Sequence, residues 1–383
     1  MRNRAQPGST RSVDLGTDTR AGLQLHWQPQ PGLEFTSQAV LYKRPSGTPA
    51  SEAIELAYAG WRPTQTARVR LGRTSPDVFL FANSRHLGYA WPWIRPPVDM
   101  YGFLPLLAVD GVEGSQVWTG GGGDTSWLFR GATGRFRATG SGSFPDLRSF
   151  TIQGRDVVLL TAQRSAGALL LKGSVVQARM SLQLPEEVGI VRGALGQLAA
   201  LPLPGLAEQI DRLQNNLWSA GRVRYLSLGL QYDQGPWLLH TEFSRLEVST
   251  GGLLPTSRGY VSLGYRWNEV TWFGVFGRTR ADVAPTLSPR VEVALAPVLG
   301  AAGAAQAQGV LDAAATITSA YRHDQRTVSA GLRWDFASNV ALKFQVDRVH
   351  VSPFGTGLWR SDSGPFGARN TVASIALDFV WEP

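Results

Sequence analysis

The chain of 383 residues contains no cysteine. Disulfide scaffolds, cysteine-ligated zinc, iron–sulfur clusters and thiol nucleophiles are therefore excluded. Lysine is nearly absent: Lys43, Lys172 and Lys343 are the only three, so 34 of the 37 cations are arginine. The arginines are spread singly, and no Lys/Arg-rich run occurs, which argues against a nucleic-acid partner despite the net charge of +8. No stretch approaches the roughly 18 apolar residues of a transmembrane helix. Met1–Thr19 is polar and Arg-rich with no apolar segment, so it is not a signal peptide. The five histidines (His26, His86, His240, His323 and His350) include no pair at metal-ligand spacing. Gly120–Gly123 ahead of Asp124 lacks the Gly-Lys-Ser/Thr end of a phosphate loop. Gly140–Ser143 lacks the strand-to-helix elbow of a serine nucleophile. No repeat of fixed period stands out.

What is abundant points elsewhere. With 13 Trp, 9 Tyr and 16 Phe the chain can bury far more surface than a disordered segment. Its 43 Gly and 23 Pro imply many turns. The dominant pattern is alternation with a period of two, the signature of strands with two unlike faces. In Thr371–Trp381 the residues Ala373, Ile375, Leu377, Phe379 and Trp381 share one face, and Ser374, Ala376 and Asp378 the other. Val328–Asp335, Val340–Val346, Tyr260–Trp267 and Trp237–Phe243 alternate in the same way.

A soluble β-sandwich also alternates. Connection length separates it from a membrane barrel. Short turns are expected at Gln28–Gly32, Arg62–Thr66, Asp233–Pro236, Trp267–Val270 and Asp335–Asn339. Long connections lie between them, at Thr74–Val109, Arg137–Phe150, Gln183–Ala220, Arg280–His323 and Val349–Asn370. Loops of this length are uncommon in compact soluble domains. A transmembrane barrel has short periplasmic turns at one rim and long extracellular loops at the other. Trp27, Tyr42, Trp61, Trp237, Trp267, Trp334, Phe379 and Trp381 all sit near strand ends, where interfacial aromatic girdles belong.

The fold expected is thus all-β: one transmembrane antiparallel β-barrel over residues 1–383. About fifteen strands start near Thr17, Leu33, Ser51, Ala67, Asp110, Ser126, Thr151, Gly167, Gly221, Trp237, Arg258, Thr271, Asp324, Val340 and Thr371, each close to the 9–11 residues of a tilted membrane strand. Single-chain bacterial barrels use even numbers. The polar segment 1–16 is too short and too polar to supply another strand. The expectation is therefore a barrel of about sixteen strands, of which this chain lacks the signal peptide and the first strand. The connections at 184–219 and 281–323 are expected to be partly helical, with Ala207, Ile210, Leu213 and Leu217 on one stripe.

The connection at 74–109 is the most informative. It mixes rigid proline, aromatic rings and charge: Phe79-Leu80-Phe81, Arg85-His86, then Trp91-Pro-Trp93-Ile-Arg95-Pro-Pro-Val-Asp99. A free surface loop does not need such apolar weight. A loop folded into the lumen does, with its rings on the wall and its charges toward the channel, where they choose ions. Residues expected to line the constriction are Arg68, Arg70, Arg73, Asp77, Arg85, Arg95 and Asp99, with Arg224, Lys343 and Asp347 on the wall. Arg222, Arg266, Arg278 and Arg333 add to the polar faces. Acids there are fewer: Glu34, Glu55, Glu242, Asp335, Asp347 and Asp378. A basic lumen predicts a mild anion preference.

The strand Arg68-Val-Arg-Leu-Gly-Arg73 leading into this loop, and the closing Thr371–Trp381 strand, resemble Gram-negative outer-membrane porins, and the resemblance covers most of the chain. It implies passive diffusion of small hydrophilic solutes, with no reaction, cofactor or metal. It implies an outer-membrane location among lipid and lipopolysaccharide, and a homotrimer. It also implies recognition of the last strand, here ending at Trp381 before Glu382 and Pro383, by the barrel-assembly machinery. Two other classes are weighed. An outer-membrane barrel hydrolase would use His240 with Ser262, the one conceivable nucleophile–base pair. A soluble β-sandwich binding module would carry a polar outer face.

Overall fold

A computed structural model describes residues 8–9, 13–16, 18–43, 49–102, 108–120, 122, 124–141, 149–183, 186–201, 205–217, 220–249, 253–361 and 368–381. The expected strand start at Thr17, much of the polar segment 1–16, and Glu382 and Pro383 lie outside the described residues, as does part of the glycine and Gly140–Ser143 clusters.

Fifteen strands form one sheet in which each pairs with its neighbours in the sequence. They are β1 (Arg20–Gln30), β2 (Leu33–Tyr42), β3 (Ile54–Trp61), β4 (Ala67–Thr74), β5 (Val109–Thr119), β6 (Thr125–Ser141), β7 (Ser149–Ala166) and β8 (Leu169–Gln183). They continue with β9 (Ala220–Gln234), β10 (Trp237–Val248), β11 (Thr256–Trp267), β12 (Val270–Ala281), β13 (Gln325–Ala337), β14 (Val340–Val351) and β15 (Arg369–Phe379). Every neighbouring pair is antiparallel, so β1 and β15, the two ends of the order, run in the same direction.

Several turns are two residues long: Pro31-Gly32, Gly167-Ala168, Gly235-Pro236, Asn268-Glu269 and Ser338-Asn339. Asn268 (φ 52°) and Asn339 (φ 63°) hold left-handed backbone, which such turns demand and asparagine tolerates. The turn rim gathers Trp27, Trp61, Trp118, Trp127, Trp237, Trp267, Trp334 and Phe379, all exposed. Tyr42 departs from the expected girdle: it ends β2 at the long-loop side and stacks on His86 at 5.5 Å.

The sheet inverts soluble packing. Along β12 the exposed positions are Trp272, Gly274 and Phe276, while Thr271, Phe273, Val275 and Thr279 are buried. On β11 the exposed residues are Val261, Leu263, Tyr265 and Trp267, and Tyr260 and Ser262 are buried opposite them. An apolar face left outside and a polar face taken inside is the pattern of a barrel solvated by hydrocarbon, not of a sandwich. Near the long-loop rim the outward face turns basic, with Arg135, Arg155, Arg179, Arg224, Arg278, Arg326 and Arg348 exposed.

Two long connections fold into helices, α2 (Glu186–Ala199) with α3 (Leu206–Asn216), and α4 (Glu292–Ala320). They bury one another's apolar sides through Val188, Leu195, Ile210, Leu213, Leu295 and Leu311. On α3 the buried stripe is Leu206, Ile210, Leu213 and Leu217; Ala207, expected on it, is exposed. By length and composition α4 is long and apolar enough to cross a membrane, with mean hydropathy 1.3. That differs from the expectation that no such stretch exists, because alanine carries much of its apolarity. The helix is broken at Gly300, whose backbone is non-helical (φ 72°, ψ 167°).

Candidate functional site in the barrel lumen

The segment between β4 and β5 enters the lumen. It carries a short helix, α1 (Val98–Tyr101). Phe79, Phe81, Trp91, Trp93 and Met100 are at most 7% exposed. They meet a wall that is itself apolar on β6–β9, where Ala132, Phe136, Ile152, Val157, Leu159, Val176, Ala178 and Met180 point inward. Each buried Trp withdraws on the order of 200 Å² from water, about 5 kcal/mol at 25 cal/mol per Å². That drive draws the segment in; polar contacts then fix its position.

Those contacts reach almost every wall strand. Lys343 on β14 is fully buried and donates to the carbonyls of Gly88 (2.6 Å), Trp91 (2.8 Å) and Trp93 (2.9 Å), while Asp378 of β15 lies 2.8 Å away. Arg95 reaches Asp347 on β14 (2.7 Å), Asp18 (2.6 Å) and Ser374 on β15 (2.7 Å), with Trp359 beneath its guanidinium at 5.3 Å. Asp77 is held by Lys172 of β8 and by Arg130 of β6 at 3.0 Å. Glu242 on β10 accepts from the Leu80 backbone N–H (3.0 Å), from Tyr101 and from Tyr260 (2.8 Å). Arg85 pairs with Glu55 on β3 at 2.6 Å. Asp99 accepts from Gln325 at 3.1 Å, and its carbonyl accepts from Thr279 at 2.5 Å. Burial pushes the Asp99 carboxyl up to about 6, against the hydrogen bond from Gln325.

Eight of the ten residues singled out in the sequence sit inside the lumen: Arg68, Arg70, Asp77, Arg85, Arg95, Asp99, Lys343 and Asp347. Arg68 pairs with Glu34, and Arg70 with Glu113 at 2.6 Å. Two require correction. Arg73 is on the outward face, opposite Ala57, and pairs with Asp110 at 2.7 Å. Arg224 is also outward, exposed between Gln177 and Glu247. Arg222 and Arg278 share that face. The misreading has a physical cause. Around Arg224 the inward neighbours Val223 and Tyr225 are apolar because they pack toward the in-folded segment, whereas the outward face becomes polar at the rim. Alternation alone cannot tell the two faces apart there.

Sequence reasoning missed Lys172, Arg130, Glu113 and Asp18 as partners. The signal available for Lys172 was its isolation: two of only three lysines fall within strands, and both anchor the segment. The charges of the segment are paired with the wall instead of projecting into an open channel.

His240 stands directly across from Ser262 in the β10–β11 register. Ser262 Oγ accepts a hydrogen bond from Trp93 Nε1 at 2.9 Å, and the His240 ring lies edge-on to Phe81 and Trp93 at 5.2 and 5.3 Å. Both are buried by the segment.

Space is distributed unevenly around the segment. Toward β12–β14 a gap of only about 10 Å³ remains, room for one water at most. Toward β15 a cavity of about 520 Å³ opens, lined among others by Asp14, Asp18, Arg20, Arg95, Ser374 and Asp378. The adjacent β1 is exposed on both faces. Its lumen-side residues Gln24 and His26 bond to Gln38 (3.1 Å) and Thr36 (2.9 Å) of β2.

No family model and no curated protein matches the sequence. Solved structures do match in shape. The chain superposes on OmpF of Salmonella typhi in its daunomycin complex with TM-score 0.53 at 12% identity, covering 98% of this chain and 94% of that one. An anion-selective porin from Comamonas acidovorans gives TM-score 0.52 at 10% identity over 95% and 90% of the two chains. The outer-membrane channel DcaP of Acinetobacter baumannii gives 0.50 at 10% identity over 98% and 93%. A consecutive antiparallel meander, an apolar exterior and a long segment folded inward are thus joined to shape similarity over nearly the whole length: the chain has the fold of the bacterial outer-membrane porins.

Proposed function

We propose that the protein is a porin-type channel of a Gram-negative outer membrane through which small hydrophilic solutes diffuse passively. The observation that carries this reading is the in-folded segment, anchored to the wall by Lys343, Arg95 and Asp77, which leaves a polar cavity along the β15 side. Solutes would pass through that side, past the Arg20, Arg95, Asp18 and Asp378 that line it. Arg85, Asp99 and Asp347 act mainly by holding the segment, and Arg68 and Arg70 by pairing with Glu34 and Glu113 on the wall. The preference for anions is mild in this reading, because the lumen cations are largely matched by carboxylates. Trimer formation, contact with lipopolysaccharide and folding through the β15 strand by the barrel-assembly machinery belong to the same proposal.

The test is electrical. Refolded protein in a planar bilayer is expected to give discrete conductance steps, and a reversal potential in a potassium chloride gradient shifted a few millivolts toward chloride. Steps of clear cation selectivity overturn the anion preference. Absence of any conductance from inserted protein overturns the channel reading.

A further inference from the structure

Arg20, which lines the cavity on the β15 side, also holds the outer end of the in-folded segment: its Nη1 donates to the Arg85 carbonyl at 3.2 Å. Arg85 in turn is tied in three directions. Its Nη2 donates to Glu55 Oε2 on β3 (2.6 Å), its Nη1 to Ser75 Oγ (2.8 Å) and its Nε to Nε2 of the neighbouring His86 (3.1 Å). The His86 ring stacks on Tyr42 of β2 with centroids 5.5 Å apart, and Tyr42 stands across from Arg20 in the β1–β2 register. Gly88, two residues further along the segment, lines the same cavity. His86 is thus tied to the passage along β15 through both Arg20 and Gly88.

One atom of that ring faces two incompatible neighbours. Nε2 accepts from Arg85, which requires a bare lone pair there, and it also stands 3.3 Å from Glu55 Oε1, another acceptor. A neutral ring serves Arg85 and turns its lone pair toward the carboxylate. A protonated ring donates to Glu55 and sets its N–H against that of Arg85. No single protonation state satisfies both. The groups around the ring are Glu55 on β3, Arg85 on the segment, Arg20 on β1 and Tyr42 on β2. Burial lowers the ring's proton affinity below the ordinary value of 6.5, Glu55 raises it, and Arg85 and Arg20 lower it again. The ring is therefore neutral at neutral pH and takes up a proton on the acid side.

We propose that His86 is a specificity-determining switch of the channel: on protonation its Nε2 leaves Arg85 for Glu55, and the cation added beside Arg85 and Arg20 raises the preference for anions. The proton comes from solvent, and the only bond formed is N–H. Arg85 loses one of its three ties, so the outer end of the segment loosens as the charge appears. This rests on the reading that solutes pass along the β15 side, and it names the residue through which pH acts on that passage.

The exchange at Nε2 is read by NMR on refolded protein in detergent micelles. Between about pH 7.5 and about pH 4.5 the His86 ring is expected to titrate, and the Arg85 Nε–H signal to move in step as it loses its acceptor. In planar bilayers the chloride-to-potassium permeability ratio is expected to rise about threefold over the same range. His86→Gln keeps an acceptor for Arg85 without a titrating proton, and His86→Phe keeps a ring against Tyr42. Both are expected to hold the rise below about 1.5-fold, the remainder coming from groups such as Asp99, which titrates near 6. His350→Gln, on the outward face of β14, is expected to keep the full rise. A rise that survives in both His86 variants, a His86 ring that does not titrate, or a titration that leaves the Arg85 signal in place overturns the switch and leaves the channel reading intact. Protein that conducts at neither pH overturns the channel reading and the selectivity role with it, while the NMR titration separately reports whether Nε2 changes partner.

Discussion

At the residue scale, the lumen contains anchors more than free charges. Lys343 has three protons and shares them among three carbonyls and a carboxylate. Replacing it by Met would leave those acceptors buried and unpaired. The expected cost is about 3–5 kcal/mol, read as a lower denaturant midpoint in detergent, with noisier single-channel current as the segment loosens. Asp99 offers a pH test. Its folded carboxyl titrates near 6 against an ordinary value of 3.8, so the folded state keeps a proton that the unfolded state has lost. Its contribution is most favourable below about pH 4, declines as pH rises toward 6, and is flat above that, a span of about 3 kcal/mol. Asp99→Asn should remove this part of the pH dependence. A wild-type and variant difference that does not change between pH 4 and pH 7 would show that the carboxyl is not perturbed.

At the scale of elements, the strands were legible and the phase of some was not. Expected strand starts fall within three residues of those observed, from Leu33 and Ala67 to Trp237 and Val340. A two-residue period over a membrane-length strand is a strong signal because slipping by one residue turns every side chain to the other face. The signal weakened at the rim, where Arg73 and Arg224 were misassigned. Arg224→Ser is accordingly expected to leave conductance and selectivity unchanged, whereas Arg95→Ser should alter both. If the Arg224 variant shifts the reversal potential as much as the Arg95 variant does, the outward placement is wrong. The tight turn at Ala166–Leu169 was not foreseen, although Gly167 (φ 54°) has the backbone such a turn requires, whereas the glycine run at 120–123 already read as a turn.

At the scale of the whole molecule, the exterior has two unlike rims. Aromatic rings gather at the turn rim and arginines at the loop rim, with an apolar band between them. Hydrocarbon around that band makes the effect of a charge depend on depth. Leu263→Arg, at the middle of the band, is expected to cost about 2–4 kcal/mol in lipid, and the same change at Ser257, near the basic rim, about 0–1 kcal/mol. Equal costs in refolding titrations would mean that this face does not contact hydrocarbon. The same asymmetry relocates part of the +8 net charge. Composition reports the sum, and the outward Arg278, Arg326 and Arg348 show that some of it lies on the outer face, away from the lumen.

The sequence by itself determined the all-β class, the membrane-facing periodicity and the alternation of short and long connections, because each is a local property of consecutive residues. It also marked 74–109 as a segment too apolar for a free loop. Only the tertiary structure decided where that segment's charges end. The partners of Asp77, Arg95 and the backbone at Gly88–Trp93 lie up to 279 residues away in the chain, brought together by barrel curvature. Ion pairing over such separations leaves no spacing to read, and burial, which fixes which face of a strand is inside, belongs to the curved sheet with the segment folded against it and not to any one strand.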